Sequence, residues 1–163
     1  MKYQKITHND TANGIGIRVV VFVSGCNHHC QGCHNPGTWD ENSGELLTNK
    51  VANQIHASLK KPWINGITFS GGDPLYPHNR EDILSLCRDI KLHQPTKTIW
   101  LYTGYTWEQV KDLEVMKYID VLVDGPFILE QKDISLPFCG STNQRLIDVP
   151  RTLKTGEVTL WVP

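Results

Sequence analysis

At 163 residues, with 16 basic against 17 acidic side chains and a formal charge of −1, the chain is long enough for one domain with its own core and needs no second. The charges are scattered rather than gathered into runs, which excludes the electrostatic footprint of a nucleic-acid or anionic-membrane binder. The longest apolar run, residues 19–23, is far too short for a bilayer span, and the first residues lack a charged-then-apolar secretion pattern. The expectation is a single cytoplasmic domain over residues 1–163, with no nucleic-acid or membrane partner.

Residues 1–16 carry little apolar periodicity, and Asn13-Gly14-Ile15-Gly16 reads as a tight loop. Residues 17–23 are β-branched and almost continuously apolar, as in a strand covered on both faces within a parallel sheet. The strand runs into Gly25-Cys26-Asn27-His28-His29-Cys30-Gln31-Gly32-Cys33-His34, which packs three of the five cysteines into a C-x3-C-x2-C pattern. Three thiols this close converge only if the backbone curls, and Gly25 and Gly32 permit the angles that a curl requires.

Leu47, Val51, Ile55 and Leu59 recur every four residues after Ser43 or Thr48, predicting a helix over about residues 47–60 that Lys61-Pro62 ends. A short strand over 66–70 leads into Gly71-Gly72-Asp73-Pro74, which continues neither helix nor central strand. Asn79 is placed to cap a helix with Glu81 and Asp82 in its first turn and Ile83, Leu86, Cys87 and Ile90 as its apolar stripe, so Cys87 reads as core. A strand at 98–102, a Thr103-Gly104-Tyr105 loop and a Thr106-x-x-Gln109 capping box form a third unit. A fourth strand at 119–123 ends in Asp124-Gly125-Pro126; the chain is then loop-rich to Pro150, and 159–162 reads as a last short strand.

Alternating strands and helices predict an α/β fold with about five or six mostly parallel strands. A closed eightfold barrel takes about 250 residues, so this chain builds an incomplete β/α barrel or an open sheet. Cys26, Gly71-Gly72-Asp73, Thr103-Gly104 and Asp124-Gly125 each lie just past the carboxyl end of a strand, the edge where parallel α/β proteins bind ligands. Four distant loops are therefore expected around one pocket.

The cysteine spacing alone leaves the bound species open. Zinc takes four ligands, and His28, His29 or His34 would complete the set. An iron-sulfur cluster held by three thiolates keeps one iron free for chemistry. A reactive-thiol or structural role is the remaining alternative. Cys139 is a lone loop thiol without a partner to activate it. Trp100, Tyr102 and Tyr105 read as core or pocket wall, with partner docking as the sharper alternative.

The pattern C-x3-C-x2-C after the first strand of a partial barrel is the signature of the radical S-adenosylmethionine superfamily. Further segments are Asn13-Gly14-x-Gly16, Phe22-Val23-Ser24-Gly25-Cys26, Gly32-Cys33-His34-Asn35, Ser70-Gly71-Gly72-Asp73-Pro74-Leu75, Trp100-x-Tyr102-Thr103-Gly104-Tyr105, Val121-Leu122-Val123-Asp124-Gly125 and Gly140-Ser141-x-Asn143-Gln144. With these the chain resembles, almost end to end, the activating proteins of anaerobic (class III) ribonucleotide reductases. Gly32 stands before the third cysteine, where most of the superfamily carries an aromatic residue, and this speaks against the pyruvate formate-lyase activases.

The resemblance implies that Cys26, Cys30 and Cys33 bind three irons of a [4Fe-4S] cluster whose fourth iron chelates S-adenosylmethionine. Reductive cleavage of that cofactor would generate a glycyl radical on the large subunit of the anaerobic reductase, with an electron donor such as reduced flavodoxin. It further implies cofactor contacts from Gly71, Gly72 and Asp73 to the amino group and from the backbone of Gly32, Cys33 and His34 to adenine; for Thr103 and Gly104 it implies a ribose contact, which an ordinary strand-end turn explains equally well. Two rivals remain: a radical S-adenosylmethionine enzyme acting on a small molecule, and a non-catalytic zinc-stabilised binding module.

Overall fold

A computed structural model describes residues 1–162. Its strands are β1 (Lys2–Asp10), β2 (Ile17–Val23), β3 (Glu45–Leu46), β4 (Ile64–Gly71), β5 (Thr98–Tyr102), β6 (Val121–Asp124) and β7 (Arg145–Asp148). Its helices are α1 (Asn49–Leu59), α2 (Arg80–His93), α3 (Trp107–Val110) and α4 (Val149–Thr155). The strands form one open sheet in the order β3-β1-β2-β4-β5-β6-β7. β2, β4, β5 and β6 run parallel, while β1, β3 and β7 pair antiparallel at the flanks. The α/β class is as expected from the sequence, but the sheet has seven strands rather than five or six and is mixed at both ends.

Period-two alternation sorts the parallel strands into two unlike faces. Val19, Val21 and Val23, Ile67 and Phe69, Ile99 and Leu101, and Leu122 pack with Ile55 and Leu59 of α1 and Ile83, Leu86, Cys87 and Ile90 of α2 in the main core. Trp100, Val121 and Val123 point the other way, into a smaller cluster with Tyr102, Phe138, Cys139, Leu146 and Trp161. Helices α1 and α2 thus cover one face, and the loop after β6 and the chain end cover the other.

That second face holds a buried cation. Arg18 of β2 is 1% exposed, and all its N–H groups donate to neutral oxygens: Nε to Thr68 Oγ1 (2.7 Å), Nη1 to Ile15 O and Thr98 Oγ1, and Nη2 to Ile67 O and Thr98 O. Its guanidinium stacks 5.3 Å from the Trp100 ring centroid. Burial lowers its pKa to about 10. The Asn13–Gly16 turn closes over it: a Cβ on Gly14 would sit 2.9 Å from Arg18 Cδ. This plug lies at the end of the parallel strands away from the cysteine loop.

β1 was not foreseen because its pairing with β2 shifts register between Tyr3 and Lys5 and again between Thr7 and Asp10, which erases the alternation that a strand shows in sequence. β7 is four residues long, too short to stand out. The strand expected at 159–162 is a single bridge from Leu160 to Ile147. α1 starts where expected, Thr48 Oγ1 accepting from Val51 N. The Thr106–Gln109 capping box forms, though α3 runs for only four residues. Among the described residues no helix is long and apolar enough to cross a membrane.

Gly66 faces Thr98 across the β4–β5 pair, and a Cβ there would lie 2.0 Å from the Thr98 carbonyl oxygen. Because that obstacle is backbone in a central strand, Gly66→Ala is expected to lower stability by about 3 kcal/mol, read as a lower urea midpoint at unchanged slope.

Candidate functional site

The parallel strands present their carboxyl ends along one edge, and backbone hydrogen bonds knit the loops that leave it. Gly72 N donates to Val23 O and Asp73 N to Gly25 O, both at 2.8 Å, so the turn after β4 lies directly beneath the turn after β2. Thr103 N donates to Val123 O and Gly125 N to Tyr105 O, both at 2.9 Å, joining the ends of β5 and β6. A Cβ on Gly72 would meet Gly25 O at 2.6 Å, so the absent side chain serves close packing of two protein loops.

The cysteine loop is anchored at its base, where Gly25 N donates to Thr38 O (2.8 Å) and Cys26 N to Trp39 O (3.1 Å). Its path then turns through positive φ at Gly25 (98°), His29 (47°) and Gly32 (72°). Cys26, Cys30 and Cys33 are all free and partly buried. Asn35 N donates to Cys33 Sγ at 3.4 Å. Burial pushes the Cys26 thiol up, an effect that Asp73 reinforces and the neighbouring His28 and His29 backbone opposes. Amides aimed at cysteine sulfur are a feature that stabilises thiolates and sets the potential of an iron-sulfur cluster.

Below the loop, Asp73 is fully buried. Its carboxylate accepts from Leu75 N (2.7 Å), Thr103 Oγ1 (2.9 Å to Oδ1 and 3.0 Å to Oδ2) and Gly104 N (3.0 Å), and lies 2.7 Å from His28 Nε2. A carboxylate has about four acceptor sites, so these four groups saturate it. The His28 ring lies flat on Gly104, where a Cβ would come within 2.5 Å of it, and meets the Tyr105 ring edge-on at 4.5 Å. Tyr105 Oη donates to Asn27 Oδ1 at 3.2 Å.

A cleft of about 370 Å³ opens beside this cluster, lined by Asn27, His28, Gly104, Tyr105, Thr106, Gln109 and Pro126. Tyr105 is therefore cleft wall, while Trp100 is buried and Tyr102 packs with it on the second face. Asn79 precedes α2 as expected but does not cap it: its Nδ2 donates to Ser24 O (2.8 Å) and Asp73 O (3.0 Å), binding the two turns from behind.

Asp124, also buried, accepts from Trp107 N (2.7 Å) and from Arg145 Nε (3.0 Å) and Nη2 (2.5 Å), which pins α3 and β7 to the end of β6. The Gly140–Gln144 segment closes on the same place: Gln144 Nε2 donates to Gly125 O and Asn143 Nδ2 to Pro126 O. Sequence reasoning missed Arg145 and the parts played by His28 and Asn79. His28 carried a signal in its position midway between Cys26 and Cys30, though not one that named Asp73 as its partner.

The three histidines near the cysteines turn elsewhere: His28 to Asp73, His29 onto the edge of Trp39 (4.8 Å), and His34 to solvent. Among the described residues no three His, Cys, Asp or Glu side chains converge on the position of a single metal ion. The loop offers three free, partly buried thiols, one of which, Cys33, accepts from a backbone amide, and thiolates of this kind are the donor set that iron-sulfur clusters take.

Residues 12–147 match the family described as 4Fe-4S single cluster domain, which defines the class of protein. The chain is 46% identical over 146 residues to the anaerobic ribonucleoside-triphosphate reductase-activating protein of Enterobacteria phage T4, covering 90% of this chain and 93% of that one. Over 148 residues it is 45% identical to the protein of that name from Vibrio cholerae and 44% to that of Escherichia coli K12, covering 88% of this chain and 96% of each relative. The chain belongs to the family of anaerobic ribonucleoside-triphosphate reductase-activating proteins, as the motif resemblance implied.

The two cysteines outside the loop are set apart by burial. Cys87 is fully buried and its thiol is pushed far up, while burial, aided by Asp124, pushes Cys139 up to about 11. Only thiolates alkylate, so in native cofactor-free protein Cys139 is expected to react with iodoacetamide at pH 8 about a hundredfold more slowly than in the unfolded chain. Its rate should still climb about tenfold per pH unit near pH 10, and Cys87 should stay unmodified until unfolding; peptide mapping by mass spectrometry reads both.

Proposed function

We propose that the chain is a radical S-adenosylmethionine activase that installs the glycyl radical on an anaerobic ribonucleotide reductase. The observation that carries this reading is the attachment of a three-cysteine loop to the ends of β4 and β5, in a chain so similar to reductase-activating proteins. When bound, a [4Fe-4S] cluster supplies one-electron chemistry: reductive cleavage of S-adenosylmethionine to methionine and a 5'-deoxyadenosyl radical that takes hydrogen from a reductase glycine.

Cys26, Cys30 and Cys33 would hold three irons of the cluster, and with His28, His29 and His34 turned elsewhere the last iron would be left to S-adenosylmethionine. The backbone at Gly71 and Gly72 receives the amino group. Asp73, its acceptor sites filled by protein donors, lends negative potential and order rather than a direct bond. The backbone of Gly32, Cys33 and His34 borders the adenine. Thr103 Oγ1 and Gly104 N both point to Asp73, so these two residues offer a ribose their remaining backbone and the shape of the turn. The large subunit of the reductase is the partner, the electron donor is a protein such as reduced flavodoxin, and the setting is the cytoplasm.

Anaerobically reconstituted protein should hold about four irons and four sulfides with broad visible absorption, whereas colourless protein holding zinc would sink the cluster assignment. Cys30→Ala should lose both the colour and S-adenosylmethionine cleavage under reduction. Mixed with the anaerobic reductase under reducing, oxygen-free conditions, the wild-type protein should produce a glycyl radical by electron paramagnetic resonance. Cleavage without that signal would overturn the assignment of the partner and favour a small-molecule substrate.

A further inference from the structure

The middle of the cysteine loop is poorly held by its own backbone. Outside the base, the loop's backbone bonds among the described residues are local, Cys33 N to Cys30 O and Asn35 N to Cys33 Sγ. What ties residues 27–30 to the rest of the molecule are side chains, and one of them reaches inward to a buried charge. His28 Nε2 stands 2.7 Å from Asp73 Oδ2, with side chains 17% and 1% exposed respectively. The slot it fills is cut to its shape by Gly104 beneath and Tyr105 at its edge.

We propose that His28 is a positioning residue: its ring, seated on Gly104 and bonded to Asp73, latches the cysteine loop to the ends of β4 and β5 so that the three thiols and the cofactor-facing turns form one rigid body. Asp73 is the common member, because the same carboxylate orients Thr103 and the Gly104 amide. Loss of His28 leaves Asp73 with Leu75 N, Thr103 Oγ1 and Gly104 N, so the core survives while the loop is released. The purpose of the latch, alignment of the cluster with S-adenosylmethionine, rests on the function proposed above; the latch itself does not.

Three variants separate hydrogen bond, shape and folding. His28→Phe fills the slot without the bond, Gly104→Ala evicts the ring while leaving the imidazole intact, and His28→Gln restores a donor. In cofactor-free protein, ¹⁵N relaxation should give residues 27–32 order parameters near those of rigid backbone, about 0.85, in the wild type and below about 0.6 in His28→Phe and Gly104→Ala. Reconstituted His28→Phe should keep its full iron content yet bind S-adenosylmethionine at least tenfold more weakly, with a smaller change in the reduced cluster's paramagnetic resonance spectrum on adding the cofactor. His28→Gln should recover most of both. A disordered wild-type loop, or equal loop order in wild type and His28→Phe, overturns the latch; so does equal cofactor affinity where the wild type binds the cofactor. A wild type that carries the cluster but binds no S-adenosylmethionine overturns the functional reading instead, and the relaxation comparison still decides the latch.

Discussion

The site depends on one buried carboxylate. A charge removed from water is tolerated only when hydrogen-bonding groups replace the solvent, and Asp73 obtains those groups from three stretches of chain: His28 from the cysteine loop, Leu75 from its own turn, and Thr103 with Gly104 from the end of β5. All of these donors converge on the one carboxylate. The burial that makes an unpaired Asp73 costly therefore forces three loops, distant in sequence, into one arrangement.

The sheet explains why those loops meet there. Its parallel strands follow one another in chain order through β2, β4, β5 and β6, with α1 and α2 packed on one face, so every strand delivers its next loop to the same edge. The opposite edge is closed by Arg18, whose donors bind neutral oxygens of Ile15, Ile67, Thr68 and Thr98. A polar plug at one end and a polar cluster at the other leave the apolar middle of the second face to Trp100, Val121 and Val123. The fold thus places its buried charged residues, Arg18, Asp73 and Asp124, at the two ends of the strands, where they hold the turn before β2 and the loops of the candidate site.

Much of this was legible because periodicity is a local property. The strands at β2, β4 and β5 and the helices α1 and α2 announced themselves by runs and stripes of apolar residues, and the ends of those strands located Cys26, Gly71–Asp73 and Thr103–Gly104. What stayed hidden is relational. β1 is a strand whose register slips twice against its neighbour, so no regular pattern survives in its sequence. Asn79 sits at a helix start and obeys cap statistics, yet spends its amide on Ser24 O and Asp73 O. Asp73 read as a partner for an ammonium because nothing in a linear sequence shows that four protein donors already surround it.

The same distinction recasts the glycines. From the sequence, Gly72 and Gly104 look like places where backbone is bared to a ligand, and in the fold each is first a place where protein approaches protein. Gly72 lies under the Gly25 carbonyl and Gly104 under the His28 ring, with room for a side chain at neither. Contacts this close make the cysteine loop and the two strand ends a single packed layer, and a layer with no slack transmits the position of one part to the others. The cofactor proposed for this site, gripped by a metal centre on one side and by backbone on the other, would need that kind of support, since small errors of placement weaken both grips together. The glycines therefore serve the candidate site through the protein they let in, and the cysteine loop keeps its seat on the two strand ends because neither glycine carries a side chain.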